Sequence, residues 1–270
     1  MKKYFISVDL EGVHGIIGEP YTGLTKTIAD HANAVKNATL EINMAVRALF
    51  DGGADEVYVW DGHGGGGNLD FSLLDDRIQK MPTSIVYTPQ RFDCLKEQNF
   101  NGILYIGYHA REGTGGVLAH TYNSNANQYL KLNGKPLGEF ELDSSIASEF
   151  GVPSIFAASD DVALSQMQAH APHIVTVTTK YAKGRNKAVF RDSKEVLQEI
   201  YDGVRRAMRI TELAPTFTYP CDFEMRYTRM EFAEEILNKY CEKLPSLCYG
   251  EDLHILKATL RDVNDLRLFF

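Results

Sequence analysis

The chain has 270 residues, enough to bury a sizeable core as one large domain or as one domain with a small addition. A hydrophobic content of 44% argues against wholesale disorder, and a formal net charge of -8 argues against nucleic acid as the main partner, because phosphate binding needs a basic face. No apolar run approaches the length of a membrane span, and the four scattered cysteines form no Cys-x-x-Cys pair, so we expect a cytoplasmic protein with reduced thiols.

The first predicted strand ends in two acids. Residues 4–8 form an apolar run typical of a buried strand, and Asp9 and Glu11 follow it. Side chains two residues apart share a face of a strand, so both carboxylates can point at one place. Carboxylates that close repel each other unless a cation lies between them, and a divalent metal is the commonest such cation. The alternative is a pair of solvated acids in a loop.

Two histidines follow the next predicted strands in the same way. Apolar residues at steps of three and four between positions 34 and 49 predict an amphipathic helix that ends at Gly52–Gly53. A strand at residues 56–60 then leads to His63, and a strand at 103–106 leads through Gly107 to His109. Repeated strand-helix-strand units build a parallel sheet, whose sites gather at the carboxyl ends of the strands. One histidine alone would be interpreted as structural, but two beside a carboxylate pair indicate a metal site.

The middle of the chain continues this alternation. Asn133–Gly134 predicts a hairpin turn, which Glu139 follows, and a short helix ends at Gly151. Strands at 154–158 and 174–178 come next, with a helix that begins at Asp160–Asp161 between them and a long helix at 194–208 after them. Asp160 is interpreted as a helix N-cap and Lys180 as a surface charge.

The pattern of predicted strands and helices changes after Pro215. We predict a strand at 217–225, a helix at 230–240 and a strand at 253–260. The sequence therefore predicts an α/β protein of three layers, α/β/α, with a mostly parallel sheet and a small C-terminal α+β region. We expect a metal-binding catalytic domain at 1–212 and a smaller region packed on it at 213–270.

Several common motifs are absent from the sequence. The glycine run at 64–67 lacks the Lys-Ser/Thr of a phosphate-binding loop and is typical of a mobile loop. No H-E-x-x-H or G-x-S-x-G occurs, which disfavours a classical zinc protease or a serine hydrolase.

Five short motifs together resemble the zinc-dependent D-aminopeptidase family, peptidase family M55, in order across roughly residues 1–210. They are Ser7-Val8-Asp9-Leu10-Glu11-Gly12, Asp61-Gly62-His63, Gly107-Tyr108-His109-Ala110, Leu118-Ala119-His120 and Gly138-Glu139. The resemblance implies two zinc ions per chain, with Asp9 bridging them and His120 as the catalytic histidine. The implied metal ligands are Asp9, Glu11, His63, His109 and Glu139. The resemblance also implies a homo-oligomer that encloses a channel, a ring assembly such as a decamer.

The function expected from the resemblance is a dizinc aminopeptidase that removes N-terminal residues from short peptides or amino-acid amides, with the preference for D-residues open. His120 would stabilise the oxyanion or carry a proton to the leaving amine. Without the resemblance, a hydrogen-bonded loop histidine is the simpler interpretation of His120. Two alternatives remain at this point: a metal-dependent phosphoesterase, which uses similar ligands on similar sheets, and a non-catalytic peptide-binding or metal-binding subunit.

Overall fold

The computed structural model describes residues 1–82 and 91–269. The helices and strands are, in chain order, β1 (Lys3–Val8), α1 (Ala29–Asp51), β2 (Glu56–Asp61), β3 (Gln79–Lys80), α2 (Asp93–Glu97), β4 (Gly102–Ile106), β5 (Asn127–Leu132), β6 (Lys135–Leu137), α3 (Glu139–Glu149), β7 (Ser154–Asp160), α4 (Asp161–His170), β8 (Val175–Gly184), β9 (Lys187–Phe190), α5 (Ser193–Ala207), β10 (Cys221–Tyr227), α6 (Met230–Tyr240), β11 (Cys248–Tyr249), β12 (Ile255–Leu260) and α7 (Val263–Leu266).

A seven-stranded main sheet forms the centre of the molecule, in the order β3-β2-β1-β4-β7-β8-β9. All of its neighbouring strands run parallel except β8 and β9, which form an antiparallel pair. The central strands β1, β4 and β7 are buried along almost their whole length, as expected for parallel strands covered on both faces. The α/β class with a mostly parallel sheet, predicted from the sequence, is confirmed.

Helices cover both faces of this sheet, which gives the predicted three layers. Because side chains alternate along a strand, Ile6 of β1 packs with α1 and α5 on one face, while its neighbour Phe5 packs with α3 and α4 on the other. The first face is aliphatic and the second is rich in aromatic rings, among them Trp60, Tyr105 and Phe140.

A second, five-stranded sheet lies beside the main one, in the order β11-β12-β10-β5-β6 with antiparallel pairs throughout. It has an apolar core of its own, which α6 helps to cover. The predicted turn at Asn133–Gly134 joins β5 to β6, with both turn residues at positive φ (50° and 77°). Strands β5 and β6 come before residue 212, and β10 to β12 come after it. The second sheet therefore contains strands from both of the regions expected at 1–212 and 213–270. The division into these two regions stays a prediction.

Most predicted elements are present with small shifts at their ends. The helix expected at 230–240 is α6, whereas the strand expected from residue 217 begins only at Cys221. Within the described ranges, none of the helices combines the length and apolar character needed to cross a bilayer.

Candidate metal centre

Three neighbouring strands of the main sheet deliver the first site residues. Asp9 follows β1, His63 follows β2 and His109 follows β4, and these strands lie side by side with β1 in the middle. The backbones approach closely where the strands end. A Cβ at Gly107, whose φ is +79°, would lie 2.0 Å from the carbonyl oxygen of Asp9, so only glycine fits between the strand and His109.

Asp9, Glu11 and His63 form the first group of side chains that could hold a metal ion, with one ligand atom of each within 4.8 Å of the others. His63 Nδ1 lies 2.8 Å from Asp9 Oδ1 and 3.1 Å from Glu11 Oε2. His63 Nε2 donates to the carbonyl oxygen of Leu24 at 2.6 Å. A backbone acceptor on the far side of the ring fixes its orientation, as in many metal-binding histidines.

His109, His120 and Glu139 form a second such group. The two imidazole rings stack with their centroids 3.9 Å apart and an interplanar angle of 12°. Each donates from Nδ1 to a backbone carbonyl, His109 to Ala110 at 3.0 Å and His120 to Leu118 at 2.8 Å. Because a carbonyl oxygen can only accept, Nε2 of each ring is left to face Glu139 Oε1, at 3.1 Å from His109 and 3.9 Å from His120.

Asp9 lies between the two groups. Its Oδ1 is 2.8 Å from Nδ1 of His63, and its Oδ2 is 3.4 Å from Nε2 of His109. One carboxylate therefore directs one oxygen to each group, which is the arrangement that a ligand shared by two cations needs.

The chemistry of these side chains fits divalent cations. Asp9, Glu11 and Glu139 are three buried carboxylates close together, which requires positive charge among them. His109 Nε2 is buried and, among the described residues, lacks a hydrogen bond of good geometry although two carboxylates surround it. Nitrogen and oxygen donors that converge in this way are an expected zinc ligand set.

The pKa values show how strongly this cluster attracts positive charge. Burial alone would lower the pKa of His109, but Glu139 and Asp9 raise it to about 10. Burial alone would raise the pKa of Asp9, yet the hydrogen bond and charge of His63 hold it far below its usual range. In contrast, burial and the neighbouring His109 lower the pKa of His120. The carboxylates thus favour a positive charge at His63 and His109, whereas burial and the neighbouring His109 favour the neutral form of His120.

Backbone strain surrounds His120. Leu118 and Tyr122, two residues before and after it, have positive φ values of 51° and 56°, which are uncommon for residues other than glycine. The glycine-rich turn that begins after Glu112 brings the chain back so that the His120 amide donates to the carbonyl oxygen of Ala110 at 3.2 Å. Tyr122 in turn donates its amide to Glu139 Oε1 at 2.7 Å, which ties this segment to the second group.

Buried polar groups hold the loop after β1 in place. Lys180 Nζ donates to the carbonyl oxygens of Glu11 at 2.6 Å and Val13 at 2.7 Å, and burial lowers its pKa to about 8. The interpretation of Lys180 as a surface charge was wrong: its side chain is fully buried because these carbonyls point inward from the loop. Thr179 also donates to this loop, at the carbonyl oxygen of Gly12. Asp160 caps helix α4, as predicted.

A second buried network lies behind Glu139, and the sequence did not reveal it. Asp143, one turn further along α3, accepts two hydrogen bonds from Arg91 at 2.9 and 2.6 Å and one from Tyr108 at 2.7 Å. Tyr108 is also hydrogen-bonded to Ser7 of β1. The only sequence signal is the spacing of Glu139 and Asp143, four residues apart on one helix face.

The candidate residues open onto one cavity of about 520 Å³. Asp9, Glu11, His63, His120 and Glu139 line it, while His109 lies behind the ring of His120. The structure therefore brings all six residues singled out in the sequence to one place, and the cavity is of a size that holds small ligands.

The sequence and the fold are similar to those of known proteins. The profile of peptidase family M55, described as D-aminopeptidase, matches residues 1–248. A D-aminopeptidase of Bacillus subtilis (strain 168) is 27% identical over 186 residues, which cover 68% of this chain and 65% of that protein, slightly less than two thirds of its length.

A solved structure has a similar fold. It is described as the Zn-dependent D-aminopeptidase DppA from Bacillus subtilis, a self-compartmentalizing protease. The TM-score is 0.83 at 20% sequence identity, and the match covers 98% of this chain and 94% of that one. At this identity the likeness concerns the fold.

Proposed function

Because this chain belongs to peptidase family M55, the D-aminopeptidase family, we propose that it is a zinc-dependent aminopeptidase that removes the N-terminal residue from short peptides or amino-acid amides. One observation carries the proposal. Two groups of three candidate metal ligands, with Asp9 between them, lie at a cavity large enough for a dipeptide.

We propose two zinc ions per chain, one in each group, with Asp9 shared between them. The first ion would be held by Asp9, Glu11 and His63. The second would be held by His109 and Glu139, with Asp9 as its third ligand. Bound there, zinc supplies Lewis-acid polarisation of the scissile carbonyl and lowers the pKa of water.

The remaining chemistry belongs to the protein's own residues. His120 Nδ1 is fixed by its hydrogen bond to Leu118, so Nε2 carries the lone pair that faces Glu139. In the proposed reaction, Nε2 of His120 takes a proton from the attacking water and delivers it to the leaving amine. The buried carboxylates bind the free amino terminus of the substrate, which makes the activity that of an exopeptidase.

The test is a substrate screen on protein of measured zinc content. Amino-acid amides and dipeptides, each in D and L form, are compared with p-nitrophenyl phosphate. Release of the N-terminal residue from amides or dipeptides supports the proposal, and the ratio of D to L rates gives the stereochemical preference. Cleavage of the phosphate ester alone, or binding of peptides without turnover at full zinc content, would contradict it.

We further propose a homo-oligomeric ring and a cytoplasmic location. The structural relative is described as self-compartmentalizing, which supports assembly of copies around a chamber. Light scattering at micromolar concentration tests this, because a mass near 30.3 kDa would show a monomer. A monomer would also remove any limit that a chamber sets on peptide length.

A further inference from the structure

One part of the cavity lining is apolar and comes from outside the loops that carry the candidate metal ligands. It consists of Met225 and Tyr227 of β10, Phe232 and Ile236 of α6, and Phe269 near the C-terminal end of the described chain. We refer to these five residues as the apolar wall. All of them belong to the second sheet and the elements packed on it, and none to the main sheet.

The apolar wall is formed by regular structure. Met225 and Tyr227 are two residues apart on a strand and so share a face, and Phe232 and Ile236 are four apart on a helix and so share a side. The ring of Phe269 stacks on Phe223 with centroids 4.1 Å apart. These side chains pack in the core of the second sheet while also reaching the cavity, so the wall is in place before any ligand binds.

A short path of backbone pairing and one hydrogen bond connects this wall to the segment that carries His120. Asn127 pairs with Tyr227 across the second sheet and donates from its side chain to the carbonyl oxygen of Thr121 at 3.0 Å. Thr121 directly follows His120 in the chain. The apolar wall and the residue proposed to move the proton are therefore held at a fixed separation.

We propose that the apolar wall is the subsite for the N-terminal side chain of the substrate and that it selects aliphatic or aromatic side chains over small or charged ones. The inference rests on the proposed function and specifies its substrate class. The amino group binds at the carboxylate cluster, and the side chain on the adjacent carbon therefore enters the same cavity that the apolar wall lines. The polar lining contributed by Thr25, Asn123 and Ser124 suits the peptide backbone that follows.

The first experiment measures binding without catalysis. A series of n-alkylamines from ethylamine to hexylamine offers one amino group and an apolar chain of increasing length, with no bond to cleave. Calorimetry on zinc-loaded protein should show Kd falling by roughly threefold to fourfold per added methylene until the wall is covered. A Kd independent of chain length would overturn the subsite.

The second experiment separates the wall from the rest of helix α6. Ile236→Ala shortens a side chain that lines the cavity, whereas Leu237→Ala, the matched control, shortens a neighbour that packs in the same core without lining it. Ile236→Ala should lower kcat/KM for leucinamide by about tenfold and leave alaninamide within about twofold. Leu237→Ala should leave the ratio of the two substrates unchanged. Equal effects of Ile236→Ala on both amides would contradict selection by the wall.

Dipeptides assign the subsite to the N-terminal side chain. Leu-Ala should be cleaved faster than Ala-Leu, each in the stereochemical form that the enzyme prefers, and a preference that follows the second residue instead would overturn the assignment. Failure of the proposed function looks different. In that case no amide or dipeptide is cleaved at full zinc content, while the alkylamine series still reports whether the apolar subsite exists.

Discussion

The two sheets meet at one cavity but contribute different chemistry to it. The main sheet supplies Asp9, Glu11, His63 and His109 from the loops after its strands, and backbone hydrogen bonds and buried networks hold these loops. Glu139 is the exception, because it begins α3 directly after β6 of the second sheet. The second sheet supplies side chains from within a strand and a helix, held by apolar packing. Substitution of a buried polar group lowers stability, because it leaves its partner buried without a hydrogen bond. An apolar core instead tolerates substitutions by side chains of similar volume. The main sheet therefore supplies most of the groups proposed for the reaction, and the apolar wall of the second sheet can adjust selectivity.

The largest effect is expected from Asp9→Ala. Asp9 directs one oxygen to each metal group, so its loss should lower zinc content at both positions and reduce turnover by roughly a thousandfold or more, since removing even an outer partner of a ligand costs about 10–100-fold. Elemental analysis and steady-state kinetics on the same preparation measure both quantities. The control is Glu19→Gln, an exposed acid of the neighbouring loop. Full zinc occupancy in Asp9→Ala would show that Asp9 is not shared.

A smaller effect distinguishes His120 from the histidine stacked on it. His120→Ala should keep zinc content near that of the wild type and lower kcat by about a hundredfold, the usual scale for loss of a proton-transfer group. His109→Ala should reduce zinc content as well as rate, because its Nε2 lies between two carboxylates of the centre. Because His120 also belongs to the second group of candidate ligands, loss of one zinc in His120→Ala would make it a ligand instead.

Lys180→Met tests whether hydrogen bonds to the backbone of the loop after β1 hold the proposed metal ligands in place. The substitution removes both donors to the carbonyl oxygens of Glu11 and Val13, so we expect a lower melting temperature and a zinc affinity weakened by about 10–100-fold. Lys183→Met, an exposed position on the same strand, is the control. A competition titration with a chelator measures the affinity. Unchanged zinc affinity in a folded Lys180→Met protein would reduce these contacts to a purely structural role.

The two regions also differ in how far the sequence reveals them. Local apolar pattern identifies five strands of the main sheet, β1, β2, β4, β7 and β8, and places Asp9, His63 and His109 at one edge, whereas β3 and β9 were not predicted. The pairing of Leu132 with Phe223 in the second sheet joins segments about ninety residues apart, which no local pattern shows. Lys180 was misjudged for the same reason, because the carbonyls that bury it belong to a distant loop. The pair of Arg91 and Asp143 likewise exists only once the chain is folded.

The smallest effect is expected from Glu235, the one acid of helix α6 that lines the cavity. It is exposed, so its attraction for the substrate's amino group is weakened by water, and Glu235→Gln should raise KM by about twofold to fivefold with kcat and zinc content unchanged. Salt should reduce this difference between wild type and variant, because exposed charges are screened at high ionic strength. Glu234→Gln, its exposed neighbour outside the cavity lining, should leave KM unchanged. A lower kcat or lower zinc content in Glu235→Gln would show that helix α6 takes part in the chemistry and would remove the distinction between the metal-binding loops and the apolar wall.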